Sequence, residues 1–110
     1  MMERRQYKRA DLDILVNNSL VARTPVSNVS ENGICITTDN AFSKGDILVL
    51  DFTLPDNTEI KAYGKVKWHQ KNANGIFLNG LEFWHLEEEY RDKLSGFIRK
   101  WAKEKDFVLG

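Results

Sequence analysis

Two short clusters carry residue types suited to gripping a phosphorylated purine. The first is Arg5-Gln6-Tyr7-Lys8-Arg9, two arginines four positions apart, with Arg4 beside them as an additional ligand contact. A guanidinium is a planar fork that holds phosphate bidentately, stacks on an aromatic ring, or donates to guanine O6 and N7. Each such charge-assisted hydrogen bond is worth roughly 1.5–3 kcal/mol. The second cluster is Asn28-Val29-Ser30-Glu31-Asn32-Gly33, an N-x-S-x-x-G spacing. Guanine's N1–H and N2–H donors want acceptors, and Asn28 offers an amide oxygen and Ser30 a hydroxyl. Gly33 permits positive φ and close approach of a ligand to the backbone. Each cluster also has a plainer reading. Arg5 and Arg9 suit a solvated basic tail, and Asn28, Ser30 and Gly33 suit a turn. Asn32 is read as a turn residue.

Other chemistry finds little support. The lone Cys35 lies between Ile34 and Ile36, as a small buried or half-buried strand residue would. His69 and His85 lack metal-site spacing and acidic company, and no nucleophile with an orienting acid can be assigned, so no enzyme is expected. Lys65, Lys67 and His69 read as a solvated strand face, and Trp68 and Trp84 as core or sheet-face residues rather than base platforms. Sixteen basic and sixteen acidic residues cancel, which argues against coating nucleic acid through bulk charge. The opening MMERRQYKRA resembles no secretory signal and no run is long enough for a membrane span, so a cytoplasmic location is expected.

These groups need a scaffold to bring them together. Residues 1–10 read as a flexible basic arm, too poor in apolar residues to fold alone. Residues 11–110 then form one domain. Up to about Trp84 the apolar residues alternate: Leu12, Ile14, Val16; then Ile34, Ile36; then Leu48, Leu50, Phe52, Leu54. The clearest run sets Ile60, Ala62, Gly64, Val66 and Trp68 against Glu59, Lys61, Tyr63, Lys65 and Lys67, as a half-buried antiparallel strand requires. Asn32-Gly33, Lys44-Gly45, Pro55-Asp56-Asn57 and Asn74-Gly75 punctuate the strands. Short strands at such spacing predict an antiparallel sandwich or barrel. From about 86 to 104 the period becomes helical. Tyr90, Leu94, Phe97, Ile98 and Trp101 make one stripe, expected to pack on the barrel, and Glu87–Arg91 and Glu89–Lys93 are four-residue ion pairs. Gly96 falls in that helix, where it would allow close packing.

Taken together, R-x-x-x-R followed by N-x-S-x-x-G resembles the two-part signature of the PilZ family of cyclic di-GMP receptors. Gly64 to Trp68 is similar to the family's Gly-x-Val-x-Trp strand, and Gly80-Leu81-Glu82-Phe83 to its late Gly-hydrophobic-x-Phe segment. The resemblance implies an all-β-dominated fold, a six- to seven-stranded antiparallel β-barrel with a C-terminal α-helix. It implies a receptor that clamps cyclic di-GMP between Arg5 and Arg9 of the arm and Asn28, Ser30 and Gly33 of the barrel, with no cofactor beyond this ligand. Asn28 stands where the family more often has Asp, a stronger acceptor. With no output domain, the effect is expected to travel through a protein partner or through self-association. The rival readings are a nucleotide-independent adaptor and, with less support, a small-barrel nucleic-acid binder.

Overall fold

The computed structural model describes residues 11–39 and 41–109. Six strands, β1 (Asp11–Val16), β2 (Ser19–Pro25), β3 (Gly33–Thr38), β4 (Ile47–Thr53), β5 (Glu59–Lys71) and β6 (Phe77–His85), precede one helix, α1 (Glu88–Leu109). They form a single antiparallel sheet in the order β2-β1-β4-β5-β6-β3. The two edge strands, β2 and β3, come together without a hydrogen-bonded ladder, so the sheet curls into a nearly closed barrel. Six strands is the lower of the two numbers expected.

Alternation decides the interior. Leu12, Ile14, Val16, Ile36, Leu48, Leu50, Phe52, Ile60 and Val66 all point inward and are buried, as their period-two spacing predicts. Phe52 and Phe83 stack across the interior with ring centroids 6.2 Å apart. The helical stripe closes the core. Leu94 and Phe97 are buried, and Tyr90, Ile98 and Trp101 pack half-buried against the same cluster. The helix begins at Glu88 rather than 86, because Leu86 is itself buried and the Arg91 N–H closes the first turn on the Glu87 carbonyl at 2.9 Å. Of the two expected ion pairs, Glu89–Lys93 forms at 3.2 Å; Glu87 and Arg91 meet through that backbone bond. Gly96 has nothing within 4 Å of where a Cβ would stand, so close packing is not its reason.

Turn chemistry follows the sequence at three of the four punctuated sites. Gly45 (φ 94°), Asn57 (φ 71°) and Gly75 (φ 82°) are left-handed. Gly33 is not, which removes positive φ as its role. Asn17 (φ 51°) and Asn18 (φ 71°) make the two-residue β1–β2 hairpin, a turn of the primed kind that asparagine tolerates. At the same end of the barrel the buried Asn79 amide donates to the Thr38 hydroxyl at 2.9 Å and accepts the Phe42 N–H at 3.4 Å, tying the β3–β4 connection down.

Candidate functional site: a cleft beside the barrel seam

The link between β2 and β3 joins the two edge strands across the seam, and it carries the second sequence cluster. A 3-10 turn (Val26–Asn28) follows Pro25, and Val29 then inserts its side chain into the core. Because neighbouring residues of an extended segment point to opposite sides, Asn28 and Ser30 are turned outward on either side of that anchor. Ser30 is occupied in shaping the loop. Its Oγ accepts the N–H groups of Asn32 and Gly33, both at 3.2 Å, and donates to the Gly33 carbonyl at 3.3 Å. That is the full capacity of a hydroxyl. The Asn28 amide makes no hydrogen bond among the described residues and is exposed.

Gly33 is required by a neighbour. It pairs with Glu82 across β3 and β6, and a Cβ there would overlap the Leu81 carbonyl oxygen while standing 3.1 Å from Leu81 C. The Phe83 N–H donates to the Asn32 carbonyl at 2.8 Å, so the loop is laced to β6 at the same place.

Asn28, Ser30, Asn32 and Gly33 form one wall of an open cleft of about 340 Å³ on the outer surface of the barrel. Cys35, Lys67, Trp68, Gly80 and Glu82 line it as well, with Ile34 and Leu81. The sequence pattern places Trp68 on the same apolar face as Val66. The structure corrects this: Trp68 is 45% exposed. A β-bulge lies between Val66, which pairs with Leu81, and Trp68, which pairs with Gly80. One extra residue, Lys67, shifts the register and moves every later side chain of β5 to the opposite face. The indole then lies against Gly80, where a Cβ would stand 2.7 Å from Cζ2, inside contact distance. Glycine is the residue that lets the ring lie flat on the strand. Lys67, read as a merely solvated lysine, stands 3.9 Å from the Glu82 carboxylate at the cleft wall. Trp84 is exposed as well and lies outside the core.

Cys35 is half-buried, as expected, and desolvation pushes its thiol pKa above the ordinary value. Thus Asn28, Ser30 and Gly33 come together, and they meet Lys67, Trp68, Gly80 and Glu82, none of which was named as a site residue from sequence. A glycine opposite a tryptophan was the available signal, since Gly80 otherwise weakens a strand. Arg4, Arg5 and Arg9 lie outside the described residues.

The chemistry of the cleft is that of recognition. An exposed indole face accepts a flat ring, free amide and carboxylate groups accept ring N–H donors, and an ammonium attracts phosphate. Among the described residues, no helix is long and apolar enough to cross a membrane.

Neither curated proteins nor solved structures gave a match. The model of the PilZ domain family matches residues 3–100, a span that takes in the arginine cluster, the N-x-S-x-x-G loop and all six strands. The chain belongs to the PilZ domain family.

Proposed function

We propose that this chain is a receptor for cyclic di-GMP, the ligand of its family, held between the arm bearing Arg5 and Arg9 and the cleft beside the seam. The observation that carries this reading is the gathering of Asn28, Ser30 and Gly33 with an exposed Trp68 in one cleft. A purine stacked on the indole would bring its edge to the amide of Asn28, while Lys67 faces the phosphates. Base–aromatic stacking contributes roughly 1–3 kcal/mol per base. A cleft of about 340 Å³ is at the small end of ligand pockets, which run from roughly 300 to 1,000 Å³, so it covers part of a dinucleotide and leaves the rest for a second wall. Arg5 and Arg9 supply that wall, with Arg4 as an additional contact. Ligand binding then orders the arm against the barrel, and the altered surface is what a protein partner reads. In this reading Ser30 serves through the loop it shapes, and Asn28 meets the ligand directly.

The outer surface speaks against a nucleic-acid binder. Asp11, Asp13, Asp51 and Glu59 line one hollow of that surface, so the lysines of β5 do not continue into a basic track. Exposed Leu20, Val21, Ile47, Val49 and Tyr63 favour a protein partner.

Calorimetric titration with cyclic di-GMP, GTP and a short single-stranded oligonucleotide tests the proposal. Saturable binding of the first alone is expected, weakened at least tenfold by Asn28→Ala, Arg5→Ala or Trp68→Ala. Equal binding of the oligonucleotide would favour the nucleic-acid reading, and silence with all three the adaptor.

A further inference from the structure

We propose that Glu82 makes the cleft select guanine over adenine. The inference rests on the cyclic di-GMP reading above and adds a specificity residue to it. Asn28 cannot discriminate by itself, because an amide both donates and accepts and so satisfies either purine edge. At its motif positions the second cluster carries asparagine, serine and glycine where a charged acceptor would be decisive, and its Glu31 is not part of the cleft lining. Among the residues lining the cleft, Glu82 is the one carboxylate.

Its position is suitable. Gly80 and Glu82 are two residues apart on β6 and share its outer face, roughly 7 Å apart at the usual strand rise. The Trp68 indole covers Gly80, so a base lying on that ring reaches over towards Glu82 with its edge. The Gly33 pairing with Glu82 leaves no side chain between the carboxylate and the loop that holds Asn28 and Ser30. The carboxylate is also only loosely held, although Lys65 is its cross-strand partner on β5. It makes no hydrogen bond among the described residues, and its ion pair with Lys67, at 3.9 Å with both side chains about half exposed, is at the outer limit of such a contact.

The chemistry gives the sign. Guanine's Watson–Crick edge sets N1–H beside N2–H, two donors that the two carboxylate oxygens accept together. Adenine presents N1 as an acceptor next to its N6 donor, and a carboxylate set against that lone pair is repelled. Glutamine removes the discrimination, since its oxygen can accept from either purine while its amine can donate to adenine's ring nitrogen.

The test is calorimetric titration of the wild-type chain and Glu82→Gln with cyclic di-GMP and with cyclic di-AMP. The wild type is expected to prefer the guanine ligand. In Glu82→Gln, affinity for cyclic di-GMP should fall about ten- to a hundredfold, while affinity for cyclic di-AMP stays level or rises. Lys67→Met should keep the guanine preference, which separates a direct contact from an effect through the ion pair. An unchanged ratio of the two affinities in Glu82→Gln, or an equal loss for both ligands, overturns the proposal and leaves the receptor reading standing. If the wild type binds neither ligand, the receptor reading falls and takes this one with it.

Discussion

Replacing Gly33 by alanine would push a methyl group into the backbone of the adjacent strand. The Cβ would overlap the Leu81 carbonyl oxygen and stand 3.2 Å from Glu82 Cα. A backbone carbonyl cannot rotate aside as a side chain can, so β3 and β6 must part locally. Overpacking of this kind costs roughly 1–3 kcal/mol. The bonds nearest the insertion are Phe83 N–H to the Asn32 carbonyl at 2.8 Å and Ser30 N–H to the Gly33 carbonyl at 2.9 Å. Weakening them adds roughly 0.5–1.5 kcal/mol each. The expected loss is therefore about 2–6 kcal/mol. A domain of this length unfolds with an entropy near 0.23 kcal/mol/K, so Tm should fall by about 9–26 °C. Thermal unfolding followed by circular dichroism reads this directly. A second variant identifies the cause. If the glycine served a left-handed backbone, Gly33→Asn would largely restore stability, because asparagine tolerates that region. Close approach predicts instead that Gly33→Asn is at least as damaging as Gly33→Ala, whereas Gly75→Asn, at φ 82°, loses under about 1 kcal/mol. A Tm for Gly33→Ala within about 4 °C of wild type, or a clear rescue by asparagine, would refute the reasoning.

Three further outcomes are expected. Asn79→Ala removes a fully buried amide that serves Thr38, the Ile36 carbonyl and the Phe42 N–H, and should lower stability by about 2–4 kcal/mol, seen as a shifted urea midpoint with an unchanged slope. Burial raises the pKa of the Cys35 thiol, so less thiolate is present at a given pH; iodoacetamide should alkylate it more slowly at pH 8 than a free cysteine, and more slowly again with cyclic di-GMP filling the cleft it lines. Gly96→Ala meets open space on a helix and should raise stability by about 0.5–1 kcal/mol, or roughly 2–4 °C in Tm.

Much of the barrel was legible because its physics is local. Leu48, Leu50 and Phe52 alternate without interruption along β4, and a strand with one wet face admits no other arrangement. The helix was legible for the same reason, its stripe recurring at helical spacing from Tyr90 to Trp101. The Asn17-Asn18 hairpin was missed because Asn17 continues the outward phase of β1 and neither turn residue is a glycine or proline. For Gly33 the sequence suggested the wrong reason: a glycine after asparagine looks like a turn, and nothing local reveals that the Leu81 carbonyl, 48 positions away, occupies the space of its side chain. The second cluster was legible as a motif, but its companions in the cleft come from β5 and β6 and depend on register.

Register is also why the bulge at Lys67 matters more than any one side chain. Without it, Trp68 would stay in phase with Val66 and enter the core, Gly80 would face an ordinary strand neighbour, and the cleft would have no aromatic wall. With it, the remainder of β5 from Lys67 to Lys71 is exposed, although the alternation up to Val66 is strict. The displaced indole needs a flat bed, which Gly80 provides; β3 needs to come close enough to β6 to bring its loop alongside, which Gly33 allows. The two glycines and the bulge thus solve one problem, setting the loop, the indole and the Glu82 carboxylate around a single hollow. Deleting Lys67 should leave a regular ladder in which Trp68 directly follows Val66 and still stands opposite Gly80 on the outer face. If such a chain folds, its Trp68 should stay as open to acrylamide as in the wild type, whereas a Trp68 shielded from the quencher would show that Lys67 is not the extra residue and would overturn this account of the register.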